Sequence, residues 1–177
     1  MRRMLLLAVL AALFLTAGIR PELFAQSQPA QALPPMTLKV GDNAPNFTLR
    51  DQNGKDVSLE DFNGKLVFLN FWGTSCPPCL AEMPGIEKLE EALRGEPIAF
   101  LAVTQDEEHT VRRFLRKVPL HLPVYLADTE TPEEFGPPAV PRTFILDCSG
   151  HEVFRAVGAL NWDDEAAREF LRKLEAR

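Results

Sequence analysis

Apolar and polar residues follow two rhythms along this chain, and the switches between them mark its elements. Phe47-Thr48-Leu49 and Val57-Ser58-Leu59 alternate with period two on either side of Asp51-Gln52-Asn53-Gly54, which predicts an opening β-hairpin. The run Leu66-Val67-Phe68-Leu69-Asn70-Phe71-Trp72 is almost continuously apolar, as a strand covered on both faces requires. Over 77–93 the rhythm becomes helical: Leu80, Met83, Ile86, Leu89 and Leu93 form one stripe, Gly95 stops it, and Pro84 is expected to kink it. A strand follows over 98–103, then an amphipathic helix over 107–117 with Val111, Phe114 and Leu115 facing inward. A short strand over 124–126 precedes a brief helix that starts at Thr131-Pro132-Glu133-Glu134. Strands over 143–146 and 153–157 flank Asp147-Cys148-Ser149-Gly150 as a second hairpin. A last helix is expected from about Trp162, capped by Asn161, with acids in its first turn and Arg168, Arg172 and Lys173 later.

The order hairpin, β-α-β-α, hairpin, α contains no repeat and predicts an α/β domain, a central mixed sheet flanked by helices on both faces. The N-terminus has a different pattern. Arg2 and Arg3 precede sixteen uncharged residues, 4–19, the charge-then-apolar order of an export signal. As a helix such a run spans roughly 24 Å, short of a hydrocarbon core of about 30 Å. Residues 20–37 are rich in Pro, Ala and Gln and lack periodicity. The chain therefore divides into a signal peptide or N-terminal membrane anchor over 1–25, a linker over 26–37 and a folded domain over 38–177, placed outside the cytoplasm. The 177 residues, 46% hydrophobic and 25% charged, suit one globular domain. A net charge of −6 without a basic cluster excludes nucleic acid as a partner.

The chemistry is concentrated in Cys76-Pro77-Pro78-Cys79, where the buried strand gives way, after a short loop, to a helix. Two cysteines so spaced in a first helical turn bring their sulfurs within bonding reach, and the first lies at the positive end of the helix dipole. Disulfide exchange proceeds through thiolate, so this placement prepares Cys76 to attack and leaves Cys79 to resolve. A structural disulfide closing so small a loop contributes little, and a zinc site lacks a second ligand pair, though both readings stay open on spacing alone. With Cys76 as N-cap, Pro78 has no N–H to offer its sulfur and only Cys79 can donate. Cys76 is then a moderately acidic thiol, suited to a reductant.

Three stretches carry a family resemblance: Val40-Gly41-Asp42-Asn43-Ala44-Pro45-Asn46-Phe47, Asn70-Phe71-Trp72-Gly73-Thr74-Ser75-Cys76-Pro77-Pro78-Cys79, and Val140-Pro141-Arg142-Thr143-Phe144-Ile145-Leu146-Asp147. In this order they resemble the TlpA/ResA group of thioredoxin-like proteins. The resemblance implies a thioredoxin-like fold with an added N-terminal β-hairpin, a redox-active Cys76–Cys79 disulfide in place of any cofactor, and reduction of partner-protein disulfides such as those of apocytochrome c. It also implies a membrane thiol carrier as electron donor and a possible membrane tether. Glu82, in Cys-x-x-Cys-x-x-Glu-x-Pro, becomes the group that modulates cysteine ionisation, the more so because Asn70 stands where thioredoxin has an aspartate. Pro141 becomes a cis-proline that presents the Val140 backbone to an extended substrate. Ser75 replaces the family's usual tryptophan and alters the docking surface; Trp72 matches the family and is expected to pack.

Other functions compete. A dithiol oxidase for protein folding differs by its reduction potential. A copper-binding chaperone would favour three residues between the cysteines, and a peroxidase would favour Thr-x-x-Cys where this chain has Thr74-Ser75-Cys76. Cys148, in a predicted turn, reads as a free thiol. His109, His121 and His151 share no spacing and receive no role.

Overall fold

Leu66–Trp72 (β3) is buried at all seven positions and stands in the interior of a seven-stranded mixed sheet. The computed structural model describes residues 41–127, 131–135 and 139–176. The signal or anchor segment and the linker assigned to 1–37 lie outside the described residues. The other strands are Thr48–Asp51 (β1), Asp56–Ser58 (β2), Ile98–Thr104 (β4), Val124–Leu126 (β5), Arg142–Leu146 (β6) and Glu152–Val157 (β7). Their order across the sheet is β2-β1-β5-β4-β3-β6-β7. β3, β4 and β5 run parallel, whereas β1 and β6 join their neighbours antiparallel. The opening hairpin forms with Thr48 opposite Ser58 at the sheet's edge. Gly54 takes the positive φ of 81° that its turn demands, and Asp51 Oδ1 accepts from the N–H groups of Asn53 and Lys55.

The period-two alternation of β3 divides the core in two. Leu66, Phe68 and Trp72 face a cluster that holds Met83, Ile86 and Leu89 of Pro77–Ala92 (α1), Val111 of Glu108–Leu115 (α2) and Phe170, Leu171 and Leu174 of Glu165–Glu175 (α3). Val67, Leu69 and Phe71 face a second cluster with Phe47, Leu59, Phe135 and Phe144. The expected helical cover is thus asymmetric among the described residues. All three α-helices pack on one face, and the other is closed by the single-turn 3-10 helices Leu59–Phe62 and Glu133–Phe135 with the segment before β1. The parallel order β5-β4-β3 accounts for this: two right-handed crossovers stepping in the same direction place α1 and α2 on the same side.

α1 begins with Cys76 as N-cap and prolines in its first two positions, and it runs through Pro84 to Ala92. Pro84 is exposed, where its ring and missing N–H disturb packing least. The last helix departs from expectation. It starts at Glu165, with Asp164 rather than Asn161 as its cap, and Asp164 Oδ1 accepts from Ala166 N at 3.0 Å. Asn161 Oδ1 instead accepts from Asp163 N in a turn. Trp162 between them is drawn into the core, 4.7 Å edge-on to Phe68, a tertiary contact that outweighs extending the helix.

Candidate functional site

The carboxyl ends of β3 and β4 and the amino end of β6 meet at one end of the sheet, and α1 starts there. Cys76 and Cys79 form a disulfide. Cys76 is half-buried, while Cys79 is completely buried one turn into α1. Cys79 N–H donates to Cys76 Sγ at 3.2 Å, the cap contact that the two prolines leave available. Across the cleft the Val140–Pro141 peptide is cis. The Val140 carbonyl oxygen lies 3.8 Å from Cys76 Sγ, a contact that becomes a hydrogen bond only when the sulfur carries a proton. Val140 is 39% exposed and Ser75 is open to solvent, so both stand on the surface around the half-buried sulfur. Trp72 does not: it is buried against Phe114 of α2, at 5.6 Å between rings, and acts as packing.

Glu82 lies one turn beyond Cys79 on the buried side of α1, and its residue is only 3% exposed. Its Oε1 accepts from Asn70 Nδ2 at 2.9 Å, and Oε2 from Leu160 N at 3.0 Å and Trp162 Nε1 at 3.3 Å. Burial pushes the carboxyl above the ordinary glutamate range, against the pull of these three donors. Asn70 Nδ2 also donates to Thr143 Oγ1 at 3.0 Å, whereas Asn70 Oδ1, buried too, meets no hydrogen-bond donor among the described residues. Strand β3 and the loop before α3 thus converge on one carboxyl, with β6 joined to it through Asn70, and the spacing Cys-x-x-Cys-x-x-Glu marks it from a distance.

Two further residues escaped the sequence reading. Asp106, just past β4, accepts on Oδ2 from both Thr74 N at 2.6 Å and Thr74 Oγ1 at 2.7 Å, and its own N–H donates to Thr104 Oγ1. It ties down the loop that delivers Cys76. Nothing local announces this, because an aspartate after a strand reads as an ordinary cap. We expect Asp106→Ala to cost about 1–2 kcal/mol in unfolding free energy, by loss of a charged acceptor to a half-buried loop, and to slow disulfide exchange severalfold. Denaturant unfolding and a turnover assay check it; an unchanged exchange rate would show that the loop holds its shape without the clamp. The other is Arg142, buried after Pro141 with its guanidinium 4.5 Å over the Phe71 ring. Burial lowers its pKa from the usual arginine range. With Cys76, Ser75, Asp106 and Val140 it lines the cleft beside the disulfide. Cys148 is free and exposed in the β6–β7 turn, past the opposite end of β6 from the Arg142 that lines this cleft.

Comparison with known proteins agrees with this site. The Redoxin family model matches residues 39–171. The thiol-disulfide oxidoreductase ResA of Bacillus thuringiensis subsp. konkukian (strain 97-27) is 34% identical over 139 residues, 77% of this chain and 79% of that protein. ResA of Bacillus subtilis (strain 168) is 33% identical over 126 residues, 70% of each chain. Among solved structures, a thiol:disulfide interchange protein of the thioredoxin family from Chlorobium tepidum TLS shares the fold with a TM-score of 0.65. That likeness covers 77% of this chain and 97% of the other at 23% identity.

Proposed function

The chain belongs to the Redoxin family as a thiol–disulfide oxidoreductase of the ResA type, and from that premise we propose that it reduces disulfides of partner proteins outside the cytoplasm. The observation that supports this direction is the cap of α1, where Cys76 Sγ receives one backbone N–H, from Cys79, and prolines occupy the two positions between. A thiol whose thiolate is stabilised by the helix dipole and a single donor is a moderate acid. The dithiol is then not held so strongly that its disulfide becomes a powerful oxidant.

In the proposed cycle the Cys76 thiolate attacks one sulfur of the partner's disulfide, and the other sulfur leaves as thiolate. Cys79 passes its proton to Glu82 and attacks Cys76 Sγ; the second partner sulfur departs, and the Cys76–Cys79 disulfide forms. Two electrons have moved to the partner. A thiol carrier in the membrane returns them and restores the dithiol. The Val140 backbone, exposed beside Cys76, provides an edge against which an extended substrate segment can pair. The cysteine pair of an apocytochrome c is the substrate that the family resemblance implies. Placement outside the cytoplasm is supported by the arginines and uncharged run at the N-terminus. No helix among the described residues is long and apolar enough to cross a membrane.

Equilibration against thiol buffers of known potential tests the direction. We expect a midpoint below about −200 mV, on the thioredoxin side of the scale, and a midpoint near the −120 mV or so of a strong oxidase overturns it. In cells, Cys79→Ala is expected to leave substrates bound to Cys76 as stable mixed disulfides, among them proteins that carry haem-binding cysteine pairs.

A further inference from the structure

Asn70 uses both Nδ2 protons, one on Glu82 Oε1 and one on Thr143 Oγ1, and keeps a buried Oδ1 without a donor among the described residues. Wired in this way, the amide suits only the carboxylate form of Glu82. Leu160 N and Trp162 Nε1 are donors as well, so a protonated Glu82 would bring an O–H into a ring of N–H groups. The amide can change sides. Asn χ2 has two broad, nearly equivalent settings half a turn apart, and the turn places Oδ1 where Nδ2 had been. Its two lone pairs then meet the new Glu82 O–H and the Thr143 hydroxyl, which donates as readily as it accepts. The unpartnered carbonyl oxygen is exchanged for an unpartnered amide nitrogen.

We propose that Asn70 is the positioning residue for the Glu82 proton, donating to the carboxylate in one setting and, turned over, accepting from the carboxylic acid in the other, with the Thr143 hydroxyl reversing in step. This rests on the reading of Glu82 as proton acceptor for Cys79. The proton leaves the Cys79 S–H and arrives on Glu82 Oε1, and the acid stays in its pocket while it changes charge. Among the described residues, the hydrogen-bond partners of Glu82 carry no charge. β3 presents Asn70, β6 presents Thr143, the loop before α3 presents Leu160 N and Trp162, and α1 presents Cys79. Asp163, next to Trp162, is turned outward and paired with Lys88.

The test is a pH titration of the full-length oxidised protein by NMR, following the Glu82 carboxyl carbon and the Asn70 side-chain amide. The Asn70 signals are expected to move with the Glu82 midpoint. In Asn70→Leu both charge states lose one bond, so the Glu82 acid constant should change by less than about threefold. Asn70 signals that stay constant through the Glu82 titration overturn the proposal. So does a larger fall in the acid constant of Asn70→Leu, as loss of a fixed donor would cause. The wild-type titration decides by itself should the leucine variant not fold. Turnover of Glu82→Gln tests the underlying reading separately: full activity there removes Glu82 from the proton path, whereas the NMR result judges Asn70.

Discussion

Replacing Cys76 by serine should abolish disulfide exchange, with the reduction rate of a disulfide substrate falling by about 10³ or more. A hydroxyl is scarcely ionised at neutral pH and forms no disulfide. Cys79 cannot stand in for it, because it is fully buried. Cys79→Ser should fail differently: the first attack survives, the mixed disulfide persists, and partner and protein migrate together on a non-reducing gel. The contrast between an inert variant and a trapped one assigns attack to the first sulfur and resolution to the second. Activity of Cys76→Ser within about tenfold of the parent would end the two-sulfur account.

Trp162→Ala is expected to lower the unfolding free energy by about 3–5 kcal/mol, the usual range for removing a large buried aromatic, and the melting temperature by on the order of 10 °C. The indole is 1% exposed and packs edge-on against Phe68 and Phe154. Its Nε1 also donates to Glu82, so its loss leaves a buried carboxyl with one donor fewer. Trp162→Phe should restore most of the packing and none of that bond. Calorimetry of the two variants separates the contributions, and an alanine variant that melts with the parent would show that the loop before α3 can repack around the gap.

The elements were legible because their rhythms are local. The uninterrupted apolar run of β3 and the stripe of α1 state burial outright, and both elements form where the pattern puts them. The start of α3 was not legible: Asn161, Asp163 and Asp164 are all good caps, and Trp162, which decides among them, does so by packing on a strand more than ninety residues earlier in the chain. Arg142 and Asp106 were overlooked for a related reason. An arginine after a proline and an aspartate after a strand are common surface residues, and only the meeting of β6 and β4 beside the cysteine loop gives them work. Glu82 was within reach only because its spacing from Cys79 belongs to a known pattern.

The chain alone determined that two sulfurs would start a helix after a central strand, and that prolines would leave Cys76 a single backbone donor, since these follow from residues adjacent along the backbone. Tertiary structure decided what surrounds those sulfurs: which faces the helices cover, which strand end brings Asp106 to Thr74, and how Asn70, Thr143, Leu160 and Trp162 come to enclose one carboxyl. Hydrogen bonds and desolvation act over a few ångströms whatever the separation in sequence, so partners from three distant segments leave no periodic trace in any one of them.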